Sequence, residues 1–275
     1  MVFTILQAIG YLYNTPKNFF LLFIFNQTVY GLSIQKKVHI VPIIKSIRQT
    51  VLIPIHPAGY PFIGISLATT ALLYYLLGPY PMFIGFLISL WCIYFFRNPV
   101  RYTPQHQSLI ISPADGRILS ITEGMPPKKL GLIGADFTKI SIFMNIFDVH
   151  VNRSPMEGQV VKKSYFPGSF FDASLDKASE KNEQLSITMN TIYGKKIAFV
   201  QIAGLVARRI LCNVSQGSEL KCGQQFGIIR FGSRVDLWLP NPIFTKVLVG
   251  QRTYAGETIL ADFEPGAKLN EARIE

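Results

Sequence analysis

Between residues 49 and 96 the chain carries no charged side chain. Nothing else in the sequence restricts the fold as much, because a run this long cannot lie on a soluble surface with one polar face toward water. Within it, residues 60–77 and 82–96 are dominated by apolar side chains, and Gly-Pro-Tyr-Pro at 78–81 separates them. Each approaches the roughly 20 residues a helix needs to cross the hydrocarbon core, the second being short. The pattern predicts a helical hairpin in a membrane, with Tyr74, Tyr75, Tyr80, Trp91 and Tyr94 among its interfacial aromatics. The competing reading is a hairpin buried in a protein core.

The flanks orient the hairpin. Lys36, Lys37, Lys45 and Arg48 precede it, and Arg97 and Arg101 follow it. An excess of Lys and Arg marks cytoplasmic loops, so both ends of the hairpin, and the domain after residue 97, are expected in the cytoplasm. All 16 acidic residues lie from Asp115 onward. An apolar, weakly basic, acid-free N-terminal third suits an anionic membrane surface. Nucleic acid is not expected as a partner despite the net charge of +11, since the basic residues form no arginine-rich run or known module. Residues 1–48 form an extension. Their apolar stretch at 19–33 lacks the basic start and small-residue cleavage site of a secretory signal. It reads as a third membrane segment, an interfacial helix or an extension upstream of the usual start.

Residues 98–275 read as short β-branched and aromatic runs punctuated by Gly, Pro and Asn. Strands are expected at 109–112, 117–121, 139–146, 159–165, 185–191, 195–203, 226–231, 234–239 and 246–249. The polar stretch 174–184 is expected to be a loop or short helix, and 206–212 one or two helical turns. The fold class is therefore a compact, mainly β, largely antiparallel catalytic domain with short helices, preceded by an α-helical membrane hairpin at 49–97. Cys92, Cys212 and Cys222 form no CxxC and have no His at zinc spacing, so neither a disulfide framework nor a metal site is expected. Walker A, HExxH and GxGxxG motifs are absent as well.

The chemistry is sought around residues 230–240, RFGSRVDLWLP. Val235, Leu237 and Leu239 alternate with Arg234, Asp236 and Trp238, the period of a half-buried strand. The Gly232-Ser233 pair interrupts it. One reading is a hairpin corner. The other is self-processing, because a strained glycine can hold its unshielded carbonyl in the path of the next residue's hydroxyl. Attack by Ser233 on Gly232 would turn the peptide bond into an ester. Elimination across Ser233 would then cut the chain and leave a pyruvoyl group.

The wider sequence favours the second reading. FGSRVD at 231–236, with SPADGRI at 112–118, DVHVNRSPMEG at 148–158 and PGSFFDASLDKASEKNEQ at 167–184, resembles the phosphatidylserine decarboxylases, most closely their short, membrane-anchored prokaryotic group. The likeness runs from about residue 53 to 263 with the motifs in matched order. It implies cleavage between Gly232 and Ser233 and a covalent pyruvoyl cofactor made from Ser233. It also implies a processing triad in which Asp115 orients His150 and His150 takes the Ser233 proton. Of the other histidines, His39 and His56 lie in or before the membrane region, and His106 lies in a polar linker.

The resemblance implies that phosphatidylserine in the membrane is decarboxylated to phosphatidylethanolamine. The substrate amine would form a Schiff base with the pyruvoyl group, which acts as the electron sink that pyridoxal phosphate is elsewhere. The two fragments would stay associated, with a homo-oligomer left open, at the inner (cytoplasmic) membrane with the catalytic domain on the cytoplasmic side. An archaetidylserine-type lipid would share the head-group chemistry. One departure stands out: Phe147 occupies the place where some relatives carry a second His. Arg153, Lys162, Lys163, Arg230 and Arg234 are candidates for the lipid phosphate, and Phe166, Phe170 and Phe171 for the acyl chains or the core. Two other classes compete. A serine hydrolase using Ser233, His150 and Asp115 would lack the GxSxG elbow. A membrane-tethered binding domain would use the Gly-Ser pair as a plain turn.

Overall fold

A computed structural model describes residues 53–134, 136–173, 181–204, 209–230, 232–266 and 272–274. The 1–48 extension and the stretches 174–180 and 205–208 lie outside the described residues. The hairpin forms as two helices, α1 at Tyr60–Leu77 and α2 at Pro79–Phe95. The break is tighter than the expected 78–81 turn and consists of Gly78 alone, at φ +82. Pro79 is already the first residue of α2, a place where its missing N–H costs nothing. Only the segment Pro57–Leu77 is, among the described residues, a helix long and apolar enough to cross a membrane, and Pro79–Phe95 is shorter.

The two helices meet through small residues. A Cβ on Gly85 would lie 2.6 Å from Thr70 Oγ1. Thr70 Oγ1 and Ser89 Oγ are 3.3 Å apart, and each hydroxyl also bonds a carbonyl one turn back in its own helix. Small residues that let helices approach, with their hydroxyls satisfied, are the usual packing solution in lipid. The outer face exposes Ile65, Leu72, Tyr75, Leu77, Tyr80 and Phe83.

The rest is β. In chain order the strands are β1 Tyr102–Pro104, β2 Leu109–Ile111, β3 Gly116–Gly124, β4 Phe137–Met144, β5 Val151–Arg153, β6 Gly158–Phe166, β7 Gln184–Thr191 and β8 Lys196–Ala203. They continue as β9 Ile210–Cys212, β10 Glu219–Leu220, β11 Gln225–Ile229, β12 Ser233–Pro240, β13 Phe244–Thr245, β14 Arg252–Thr253, β15 Ile259–Asp262 and β16 Ala272–Ile274. An antiparallel eight-stranded sheet runs β10-β6-β7-β8-β12-β4-β3-β14, with smaller sheets β5-β11-β9, β13-β15-β2 and β1-β16 beside it. One face of the large sheet builds the main core from Ile140, Ile142, Met144, Ile187, Phe199, Val235 and Leu237. Leu130, Ala198, Val200 and Ile202 pack on its other face, against Trp238.

A second apolar cluster joins hairpin to domain. Phe95 and Phe96 pack with Val149, Val151 and Ile228, and Ile55, Phe62 and Trp91 close around them. Backbone bonds from His56 N–H to Phe96 O (2.8 Å) and from Asn98 N–H to Pro54 O (2.7 Å) tie the two ends of the hairpin together.

Two expectations are corrected. Residues 246–249 are not a strand. Lys246 N–H makes one bond to Leu260 O, then the Gln251 side chain takes the Leu248 N–H and Gly250 turns at φ +86. Their β-branched composition misleads, since Leu248 and Val249 are 76% and 62% exposed. The helical turns expected at 206–212 are also wrong where described: Ile210–Cys212 pairs with β11.

Candidate active site

Ser233 is the first residue of β12, a central strand of the large sheet, and lies opposite Met144 at the end of β4 and Ala203 at the end of β8. Side chains alternate along a strand, so Ser233 faces the main core with Val235 and Leu237, while Arg234 and Asp236 face the opposite side. The preceding Gly232 has φ +66, a conformation other residues adopt only at a cost. Its carbonyl, that of the bond to Ser233, accepts a 3.0 Å hydrogen bond from Gly204 N–H.

Ser233 is wholly buried. Its hydroxyl donates to Met144 Sδ at 3.4 Å, and Asn152 Nδ2 lies 3.7 Å from the same sulfur. Gln201 Nε2 in turn donates to Asn152 Oδ1 at 2.8 Å, while Gln201 Oε1 is buried without a partner. A thioether is a weak acceptor, so this contact holds the serine proton only loosely. Asn152 and Gln201 were not singled out in the sequence. Gln201 carried a signal, as a polar residue at an inward position of an apolar strand.

His150 leads into β5 and is also wholly buried. Its Nδ1 lies 3.0 Å from the Asp148 backbone carbonyl. A carbonyl only accepts, so Nδ1 carries the hydrogen and Nε2 presents a lone pair. Nε2 is buried with no hydrogen-bond partner, so it does not bond Ser233 Oγ in this conformation. Phe95, from the end of α2, covers the ring at a centroid distance of 4.3 Å and 31°. Burial pulls the His150 pKa down to about 3; the Asp148 carbonyl opposes this and the Arg97 charge adds to it. The imidazole is therefore neutral near pH 7.

Asp115 has other partners than His150. Its carboxylate accepts two bonds from Arg101 Nη2, at 2.9 and 2.7 Å, and one from Ala255 N–H at 2.8 Å. Burial pushes its pKa up, and Arg101 and the Ala255 amide oppose that. The turn it belongs to nevertheless docks beside His150. Pro113 O accepts Arg153 N–H at 3.0 Å and Asn152 Nδ2 at 3.4 Å, both from β5. His56 and His106 serve local turns, through Ala58 N–H and Ser108.

The five basic candidates separate. Arg153 is buried and donates to Gly223 O, Lys162 to Lys129 O, and Lys163 to Val214 O. Arg234 is buried on the far face with Asp236 and Ser141. Arg230 instead lies over the Phe62 ring of α1 at 5.2 Å. Burial lowers its pKa and the neighbouring Arg209 lowers it further. Among the described residues no carboxylate pairs with either arginine. Phe147 is 56% exposed, and its carbonyl accepts from Arg97 Nη2 at 2.7 Å, which puts this loop at the base of the hairpin. Ile146 reaches within 3.9 Å of where a Gly232 Cβ would be. Phe170 packs against the main core, while Phe171 is exposed.

The sequence profile of phosphatidylserine decarboxylase matches residues 88–261, which hold every site residue above except Phe62 of the hairpin. Proteins named phosphatidylserine decarboxylase proenzyme are similar over most of the chain. That of Rickettsia akari is 52% identical over 212 residues, 76% of this chain and 90% of its own length. That of Paramagnetospirillum magneticum is 47% identical over 230 residues, 83% and 95% of the two chains. These likenesses, on this fold, define the chain as an enzyme, a decarboxylase by class. It belongs to the phosphatidylserine decarboxylase family.

Proposed function

We propose that the chain is made as a proenzyme, cuts itself between Gly232 and Ser233, and decarboxylates phosphatidylserine to phosphatidylethanolamine with the pyruvoyl group left at position 233. The observation that carries this reading is the orphaned His150 Nε2. A buried, unpartnered lone pair on a neutral imidazole is costly, and such groups usually have a task. Two residues along, Asn152 Nδ2 lies 3.7 Å from the Met144 sulfur that alone holds the Ser233 hydroxyl, and Ser233 follows a glycine in a left-handed conformation; this link supports bringing the imidazole to the serine.

In this reading Ser233 Oγ turns from Met144, gives its proton to His150 Nε2 and attacks the Gly232 carbonyl carbon. The C–N bond breaks, the nitrogen of Ser233 takes the proton back from His150, and an ester joins Gly232 to Ser233 Oγ. Loss of the Ser233 α-proton expels the Gly232 carboxylate and leaves dehydroalanine. Its imine tautomer takes up water and releases ammonia, giving the pyruvoyl end. The Asp148 carbonyl fixes the His150 tautomer. Asp115 is the third member of the processing site. It acts from the turn that docks on β5, with its carboxylate held by Arg101 in the described conformation.

The pyruvoyl group supplies a carbonyl that can condense with the substrate amine and draw off the electrons of the departing carboxylate. The Phe147 side chain has no proton to give, so reprotonation falls to His150, to water or to another group. Arg230, beside Arg209, is the best placed of the basic candidates to hold the lipid phosphate, at the foot of the hairpin. The hairpin's apolar exposed face and its basic flanks favour anchoring at the inner membrane with the domain on the cytoplasmic side. The fragments would stay together because β12 of the small one is paired along both edges by β4 and β8 of the large one.

The test is Ser233→Ala in the full chain, assayed on phosphatidylserine vesicles. It should remain one polypeptide and release no carbon dioxide, and activity in an uncut Ser233→Ala protein would end this reading. In the same assay Arg230→Gln should raise KM while cutting stays normal. A tag at residue 275 should resist external protease in intact cells.

A further inference from the structure

We infer that the backbone N–H of Gly204 is a catalytic group of the self-cleavage, the donor that holds the oxyanion formed at Gly232. The inference rests on the processing reading above and adds a part to it. When Ser233 Oγ attacks, the π electrons of the Gly232 carbonyl move onto its oxygen, and that oxygen must be stabilised until the C–N bond breaks. The Gly204 amide already bonds this oxygen at 3.0 Å, the range in which an oxyanion donor works.

The fold fixes the donor. β8 and β12 pair through Ala203 and Ser233, and Gly204 is the next residue beyond the end of β8. At Gly232 the partner strand leaves the ladder, because φ +66 turns its backbone away from strand geometry. Among the described residues the bond from Gly204 is the last of the β8–β12 ladder, and it falls on the carbonyl of the bond to be cut. The surroundings limit water: Ser233 and Ala203 are wholly buried, Gly204 is buried and Gly232 is half-buried. A preorganised donor counts for more in such a site than in water.

The identity of residue 204 fits the same role. A Cβ there would lie 2.4 Å from the Gly232 oxygen and 3.0 Å from its carbonyl carbon. Only glycine lets the amide and the carbonyl approach this closely. A side chain would push the carbonyl off the donor. The role ends with the cut, since Gly232 then becomes the free terminus of the large fragment.

The experiment compares two full-length variants in detergent. Gly204→Ala should accumulate uncut precursor. Replacing residue 204 by glycolate, which exchanges the N–H for an ester oxygen and adds no side chain, should slow cutting about 100-fold, the usual loss for one oxyanion donor. Hydroxylamine, which cleaves a Gly232–Ser233 ester, should release no 233–275 fragment from either variant, because ester formation is the step lost; the ester built into the glycolate variant breaks instead between residues 203 and 204, which the fragment mass distinguishes. Cutting of the glycolate variant at the wild-type rate would overturn the inference, whatever Gly204→Ala does. Accumulation of a hydroxylamine-sensitive ester between Gly232 and Ser233, read by release of residues 233–275, would overturn it too, by placing the defect after the attack. If the wild-type chain itself is never cut, the processing reading fails instead.

Discussion

Burial keeps His150 neutral, and that state has a thermodynamic consequence. Its folded pKa of about 3 lies below the ordinary 6.5, so between these values the unfolded chain binds a proton that the folded chain does not. Stability from this group is complete above pH 6.5 and is lost as pH falls toward 3, at up to about 1.4 kcal/mol per unit. Uncut Ser233→Ala protein should therefore lose stability through this window. Adding His150→Gln should flatten that slope in chemical denaturation, and equal slopes would mean that His150 titrates normally. At this scale the motifs singled out Gly232, Ser233, His150 and Asp115 as candidates. They did not disclose who bonds whom. The partner of His150 Nδ1 is a main-chain carbonyl and that of the Gly232 oxygen is a main-chain amide, and backbone groups leave no mark on a sequence. The Arg101 clamp on Asp115 was equally hidden, since the two lie 14 positions apart with β1 and β2 between them.

Hairpin and domain meet more intimately than an anchor requires. Phe95 of α2 stacks on His150, and Phe96 and Phe62 extend the contact to Arg230. Removing residues 1–97 would thus uncover the imidazole as well as untether the domain. In the full chain, Phe95→Ala should cost about 3–5 kcal/mol of stability, as large core truncations do. Water admitted to the site should also raise the His150 pKa, so the acid limb of the cutting rate should shift toward pH 6.5. Phe95→Leu should keep most of both properties. An unchanged pH profile in Phe95→Ala would reduce the contact to packing alone. The long strands β4, β7, β8 and β12 were legible within about two residues because each buries a full alternating face, and β6 was legible too although it buries only Gly158 and Val160. β5, β9, β14 and β16 were not, since two or three residues cannot display a period. Residues 246–249 misled for the opposite reason: β-branched composition marks a strand only when a neighbour supplies the ladder.

At the scale of the whole molecule, the candidate site lies where the apolar hairpin enters the β domain, with the apolar Ile146–Phe147 loop beside it. Cutting at the head of β12 also leaves the sheet intact, since the small fragment carries β12 to β16 and β12 keeps both its neighbours. Native purification would hide the cut for that reason, and denaturing mass measurement would not. The most direct test is the intact mass of the active, purified protein under denaturing conditions. The expected result is two chains, residues 1–232 and a 233–275 fragment with no free amine, together one water heavier and one ammonia lighter than the uncut polypeptide. A single chain of 30.9 kDa in fully active protein would contradict it.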